Sequence, residues 1–425
     1  MPTRGLAVVI GQGSATPLEV LSSLYPSIPV TFIADAAIPR GGVVPELSGM
    51  ASLLVNSTGY QALLREVRST RPAGITTFSD AMLPVTARLA HDLGLPYHSR
   101  KSAELLTDKH AQRRRLASAG LDSVRCCTFS NFNQWRQAAT EVGFPMVVKP
   151  VRGMGSKHTH PVADERSGER LVSLLFADTS HPTNELTFIA EEFLQGRNTH
   201  PFGDYVSVES LVQDGRVTHI AVTGKFPQRP PFREVGDFWP AYGTETELAA
   251  IRELAESAIR ALGVSVGICH TEIKLTTAGP RIIEVNGRLG GYISIMARQA
   301  LGVDMVDLAA TLALGGPVPD TFPEPSSVHF QYSNVAPVHA FRLEAVNSTR
   351  SVREHPNVRA YRQYIRVGSS LPDGVETRRF DLVSGVADDH TDMIRVLRGA
   401  LAELSFSLDT AQGLTELEAL SLLDG

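Results

Sequence analysis

The sequence predicts an α/β protein with three parts: an N-terminal parallel βαβ domain, a central α+β unit of two subdomains and a small β-rich C-terminal domain. Three observations predict it. At 425 residues the chain is too long for one ordinary hydrophobic core, so two to four domains are expected. The first hundred residues alternate short apolar runs with segments whose apolar residues recur at helical spacing. The middle holds two hairpin-like pairs and a long amphipathic helix, and proline-rich VPDTFPEP (318–325) links it to a final strand-like stretch. The division read from this pattern is 1–105, 106–318 (as 106–190 and 191–318) and 319–425.

The elements follow in order. LAVVI (6–10) is a strand that ends in Gly11-Gln12-Gly13 and leads to a helix near 18–24. The Gly-Gln-Gly lacks the third glycine of a dinucleotide fingerprint and reads as a tight strand-to-helix turn. PVTFIAD (29–35) and GITTFSD (74–80) are further strands. AMLPVTARLAHDLGLP (81–96) is a helix stopped by Gly-Leu-Pro. A helix spans 107–121, capped by Thr107 or Asp108, with Gly120 near its end. FPMVVKPV (144–151) is a strand, VRGMGSKH (151–158) a glycine-bearing loop, and FIAEEFLQG (188–196) a strand running into a connection. Residues 204–227 form a hairpin turning at Asp214-Gly215. The amphipathic helix covers 247–263, and 288–315 is mostly helical.

Composition removes several function classes. A net charge of −5 and the absence of any long basic run argue against a general nucleic-acid binder. The three cysteines, Cys126, Cys127 and Cys269, make no CxxC and no disulfide framework, which suits a reducing compartment. The apolar run 6–10 is too short for a signal peptide, and no stretch of about eighteen apolar residues suggests a membrane span. A cytoplasmic protein with no membrane and no nucleic-acid partner is expected.

The chemistry concentrates in HTEIKLTTAGPRIIEVNGR (270–288). Two strands joined by the turn TTAGP (276–280) would bring Glu272 and Glu284 together on one face. Two close carboxylates repel unless a cation lies between them. The natural candidate is Mg²⁺, which prefers oxygen ligands and shares them with phosphates. The familiar patterns GxxxxGK[ST], HExxH, GxSxG and the EF-hand loop are absent.

In chain order, Lys109, VVKP with Lys149, GMGS, EEFL, Lys225 and the carboxylate hairpin resemble the ATP-grasp superfamily. Within it they resemble the carboxylate–amine ligases that include bacterial L-amino acid ligases and carnosine synthases. The resemblance covers roughly residues 75–315. Its most specific element is HTEIKL…GPRIIEVNGRLGG, with the spacing Glu-x11-Glu-x-Asn-x-Arg.

The resemblance implies a site. Lys109 and Lys149 would contact the α- and β-phosphates and adenine N7. Burying a lysine in VVKP costs several kcal/mol unless an anion meets it. Gly153, Gly155 and Ser156 would form a lid whose backbone N–H groups reach the phosphates, although Lys157-His158-Thr159 departs from the usual small residues. EEFLQG would be the hinge, with the Glu191 carbonyl and the Leu194 amide reading adenine, and Asp204 would hold the ribose hydroxyls. Lys225 would reach the γ-phosphate. Glu272 and Glu284 would bridge two Mg²⁺ ions, with Mn²⁺ as a substitute, and Asn286 would complete a shell. Arg288 would neutralise charge on the transferring phosphoryl.

For substrates, Gly290, Gly291 and Tyr292 follow Arg288 as in amino-acid-using relatives. Phe232, Phe238 and Trp239 would line a side-chain pocket, with Arg229 or Arg233 on a substrate carboxylate; the other reading is a proline-stiffened loop packing its aromatics on the domain. Glu209 faces the substrate or solvent. His270 supports a metal ligand or is a plain strand histidine. The activity implied is an ATP-dependent ligase that joins an amino acid or small carboxylate to an amine through an acyl phosphate. Its partners would be small molecules, and relatives imply a homodimer. The alternatives are a carboxylase- or purine-pathway-type enzyme activating bicarbonate or formate, or an ATP-binding module without turnover.

Overall fold

The computed structural model describes residues 5–35, 51–56, 59–177, 187–371 and 377–424. Strands β1 (Leu6–Val9), β2 (Val30–Asp35), β3 (Ser52–Asn56) and β4 (Gly74–Thr77) form a parallel sheet in the order β3-β2-β1-β4. Every residue of β1 is buried, as a continuous apolar run in a covered parallel sheet should be. A helix at Pro17–Leu24 starts from a reciprocal cap between Thr16 and Glu19. The glycine turn before it packs on the end of β4. A Cβ at Gly13 would stand 1.9 Å from the Phe78 carbonyl oxygen, so the tight-turn reading explains that glycine.

A second sheet is antiparallel: β5 (Cys126–Phe129), β6 (Met146–Pro150), β7 (His160–Val162) and β8 (Phe188–Glu192), in the order β5-β8-β6-β7. The third begins with the hairpin β9 (Tyr205–Gln213) and β10 (Arg216–Lys225), whose turn residues Asp214 and Gly215 both have positive φ, 52° and 77°. It continues with β11 (Gly236–Trp239) and the hairpin β12 (Gly267–Thr276) and β13 (Gly279–Asn286). After β14 (Val328–Tyr332), a small sheet of β15 (Ala340–Asn347), β18 (Ser405–Thr410) and β19 (Gly413–Glu418) stands apart. β16 (Val358–Gln363) and β17 (Asp381–Ala387) instead join the large sheet, which runs β13-β12-β9-β10-β11-β14-β17-β16. The sheet is thus continuous across position 318. The three-part division we propose concerns segments of chain, not separate sheets.

Helices fix this sheet in place. The helix Glu245–Ala261, opened by a Thr244–Glu247 capping box, presses Ile251 and Ala255 onto Val206, Val208, Val222 and Ile273. The helices Ile293–Leu301 and Met305–Ala313 share one core with Leu211 and Ile268 of the large sheet and with Leu6, Val8 and Phe32 of the parallel sheet. That shared core brings the ends of β4 and β13 together.

The helix expected at 107–121 is shorter, Lys109–Ser118, and a further helix, Arg100–Thr107, precedes it. Asp108 separates them in an extended conformation, and its side chain accepts from Ala111 N at 2.9 Å. Among the described residues, no helix is long and apolar enough to cross a membrane.

Candidate active site

A cleft of about 1080 Å³ is lined by residues of the second sheet, the large sheet and the glycine loop. The β12–β13 register sets Glu272 opposite Glu284 and His270 opposite Asn286. Residues two apart on a strand share a face, so all four sit together, and all four line the cleft. A bulge after Glu272 shifts the pairing to Ile273 with Ile282. Beyond the end of β13, Arg288 also reaches the cleft.

The cations nearest the carboxylate hairpin are each answered. Lys109, at the first turn of its helix, donates to the Gly153 carbonyl at 2.9 Å and lies 3.3 Å from Glu284 Oε2. Lys149 on β6 meets Glu191 Oε2 at 2.7 Å. The other Glu191 oxygen takes Arg113 Nε at 3.0 Å, and Arg113 also pairs with Asp122 at 2.9 Å. Burial alone would raise Glu191; the Arg113 and Lys149 charges outweigh it and hold the carboxyl at about 2. Lys225 pairs with Asp237 at 2.6 Å. Burial would lower that ammonium, yet the Asp237 and Glu234 charges outweigh it and raise it above its ordinary value. Arg288 holds Asp80, at the end of β4, through Nε at 2.8 Å and Nη2 at 2.6 Å.

A line of three groups supports the carboxylate hairpin. His270 bonds Glu209 through Nδ1, and its Nε2 lies 3.4 Å from Glu272 Oε1. Burial opposes the imidazolium, but the Glu209 and Glu272 carboxylates outweigh it and push the ring up to about 10. Glu272 is pushed up by burial and pulled down further, to about 2, by His270, Lys225 and Arg288. Glu209 also accepts from Gly290 N at 3.1 Å. A Cβ at Gly290 would stand 2.6 Å from His270 Nδ1, so the chain needs glycine there to pass.

Of the residues expected from the sequence, Gly153, Gly155, Ser156, Leu194, Phe232, Gly291 and Tyr292 line the cleft. Others are corrected. Glu209 and Gly290 do not line it; Glu209 is buried beneath His270 and faces neither substrate nor solvent. Trp239 lies in the core that includes Met296 and Ala297, with its indole donating to Glu324 at 2.9 Å. It falls where the helix Ile293–Leu301 covers the sheet, and Phe238 is likewise buried. Arg233 spends its donors on the Pro230 and Ala336 carbonyls, and neither it nor Arg229 lines the cleft. Asp204 pairs with Lys274 at 2.7 Å, and of the two only Lys274 lines the cleft. The loop before it is tied at both ends to Leu275, through Arg197 N and the Asp204 carbonyl, which sets Asp204 beside that lysine. Glu191 stands mid-ladder between Cys126 and Val147, so what it brings to the cleft is a carboxylate between two cations.

Sequence reasoning missed Asp80, Arg113, Asp237 and Arg379. Asp80 carried a signal: it follows a parallel strand at its carboxyl end, where open α/β sheets gather ligand residues. The others are assembled only by tertiary contact.

Residues 142–296, which include most of the strands around this cleft, match the ATP-grasp domain family. Particular relatives follow. The chain is 31% identical over 247 residues to alanine–anticapsin ligase of Bacillus subtilis (strain 168), covering 55% of this chain and 52% of that one. It is 28% identical over 273 residues to carnosine synthase 1 of Mus musculus, covering 60% of this chain and 32% of that one. The chain therefore spans about half, or less, of the length of these curated relatives. The crystal structure of an L-amino acid ligase from Bacillus licheniformis superposes with a TM-score of 0.79 at 22% identity, over 96% of this chain and 99% of that one, which establishes the shared fold.

The donor set suits Mg²⁺. Glu272, Glu284 and Asn286 offer only oxygen atoms and face one cleft. Among the described residues, no group of three or more His, Cys, Asp or Glu forms an all-protein cage. An ion that keeps waters and substrate phosphates in its shell needs none.

Proposed function

We propose that the protein is an ATP-dependent ligase that joins an amino acid or small carboxylic acid to an amine, releasing ADP and phosphate. The observation that carries this reading is the Glu272–Glu284 cross-strand pair, with Asn286 and Arg288, facing the same cleft as Lys109, Lys149 and Lys225.

A carboxylate does not condense with an amine at neutral pH, because oxide would have to leave. Transfer of the γ-phosphoryl group to the carboxylate gives an acyl phosphate, from which the amine displaces phosphate. The first step asks for alignment and charge neutralisation more than covalent help. Lys149 and Lys109 hold the nucleotide's phosphates, Lys225 reaches the γ-phosphate, and Gly153, Gly155 and Ser156 cover them with backbone N–H groups. The Leu194 amide reads the adenine edge together with a hinge carbonyl. Arg288, braced by Asp80, neutralises the transferring group. Glu272, Glu284 and Asn286 would hold Mg²⁺, two ions in our reading, which screen the phosphate oxygens from the incoming carboxylate. Water must be kept from the acyl phosphate, which the glycine loop accomplishes by closing over it.

The test is ADP release over a panel of amino acids and small acids, with hydroxylamine as a generic acceptor. Acid-dependent ADP and hydroxamate are expected, and Glu284→Gln or Arg288→Ala should lower the rate by at least about two to three orders of magnitude. Far-UV circular dichroism of each variant confirms folding. Bicarbonate dependence would move the assignment to a carboxylase, and full turnover by a folded variant would end it.

A further inference from the structure

β13, which carries Glu284 and Asn286, is an edge strand of the large sheet: β12 pairs with one side of it, and no strand among the described residues pairs with the other. Buried backbone N–H and C=O groups on such an edge are costly unless something pairs with them. Side chains do so here, at every second position. Arg113 Nη2 donates to the Ile283 carbonyl at 2.8 Å, Gln112 Nε2 donates to the Val285 carbonyl at 2.8 Å, and His98 Nε2 lies 3.0 Å from the Gly287 carbonyl. Glu284 and Asn286 fall between these held positions, and Arg288 follows the last.

Gln112 holds the middle of the row most completely. Its Oε1 accepts from the Val285 N–H at 2.8 Å while its Nε2 donates to the carbonyl of the same residue, so one amide does what a neighbouring strand would do. Nε2 also donates to the Leu105 carbonyl at 3.1 Å, which ties the amide to the preceding helix. Gln112 is 4% exposed and does not line the cleft. Lys109 stands three residues earlier, on the same face of the helix Lys109–Ser118, and lies 3.3 Å from Glu284 Oε2. The helix therefore grips the strand twice, by the Glu284 side chain and by the backbone one residue on. An apolar side chain would suit the core that Leu116 of this helix shares with Ile282 and Val285; the amide adds a fixed position for the strand along its own axis.

We propose that Gln112 is a positioning residue for the carboxylate hairpin: by fixing the backbone of Val285, it sets the Glu284 and Asn286 side chains where a divalent cation can use both. Gln112 itself touches neither the metal nor the substrates. Val285 is the common neighbour of the two donors, so a strand that slid or tilted at this residue would move both at once. The inference rests on the metal role proposed for Glu284 and Asn286 and goes one layer beneath it.

The experiment titrates Mg²⁺ into the full-length protein with ADP bound and reads the heat, so it needs no turnover. Gln112→Met keeps the length of the side chain and loses its bonds to Val285. Its apparent Kd for Mg²⁺ should rise between about ten- and a hundredfold, the range expected when the support of a metal ligand is removed, while ADP without Mg²⁺ should bind within about twofold of the parent. In the ligase assay the loss should fall on kcat, with KM for acid and amine within about threefold. Gln112→Asn, whose amide is one carbon too short to reach Val285 from the same backbone, should behave alike and serves also if the methionine variant does not fold. An unchanged Mg²⁺ constant in a folded variant, or an equal loss of affinity for ADP alone, would overturn the positioning role. So would failure of both variants to fold, which would assign the amide to the fold itself. A parent that takes up no Mg²⁺ with ADP bound would overturn the metal reading beneath the inference, so the two failures are distinguishable.

Discussion

Glu191 and Asp381 are both buried carboxyls on interior strands, and their protons behave oppositely. Glu191 lies between Arg113 and Lys149 at the cleft and is held at about 2. Asp381, on the C-terminal stretch of the large sheet, is pushed up to about 6 by burial, with the backbone N–H and side-chain amide of Asn334 among the neutral donors in return. Burial is similar; the counter-charge differs. Where the molecule meets its cleft, it keeps ionised groups out of water and balances each with an opposite charge. Where the sheet merely continues, it offers a buried acid neutral donors, and the acid takes up a proton more readily than in water.

The most severe way to break this contrast is Glu191→Ala. It strands Arg113 and Lys149 without their shared anion and should cost about 3–5 kcal/mol in denaturant unfolding. The sign of its pH dependence follows from a carboxyl depressed below its ordinary 4.5: the stability it contributes is complete above that value and is lost as pH falls toward 2. The variant should therefore lack that part of the parent's acid sensitivity; an identical acid limb in both would refute the assignment.

Asp381→Asn sharpens the contrast with the reverse sign. A carboxyl raised from 3.8 to about 6 contributes stability that is complete below pH 4 and lost as pH rises through 6. Relative to the parent, the asparagine variant should gain about 3 kcal/mol between pH 4 and pH 7. A pH-independent difference would show that the carboxyl titrates normally. The smallest effect is Trp239→Phe. Loss of the indole bond to Glu324 should cost about 1 kcal/mol, and the KM for acid and for amine should both stay within twofold, because the ring packs in the core. A tenfold rise in either KM would restore the residue to the substrate pocket.

What was legible in the sequence was local. The carboxylate hairpin could be read from strand alternation about a short turn, although the turn proper is only Thr277-Ala278 and it is the bulge after Glu272 that sets it opposite Glu284. The buried lysine of VVKP announced itself because an ammonium inside an apolar run requires an anion, although the anion observed is the protein's own Glu191. The parallel sheet followed from the alternation of elements. Alternation does not say what lies across a face, so Trp239 and Phe238 read as pocket residues when helix and sheet bury them. Pairings between residues far apart in the chain left no local trace. Asp80 meets Arg288 only because two helices weld the parallel sheet to the large one, and Arg379 reaches the cleft through a bridge to Val335.

The adjacent glycines at 290 and 291 have opposite latitude. A methyl group at 290 would collide with His270 and Glu209, whereas at 291, on the cleft wall, nothing lies within 4 Å. Anyone retuning the substrate range of the proposed ligase by directed evolution therefore has one open address at these two positions. Side chains grafted at 291 would reshape the vestibule directly, while any at 290 would jostle the imidazole and spoil the chemistry from below.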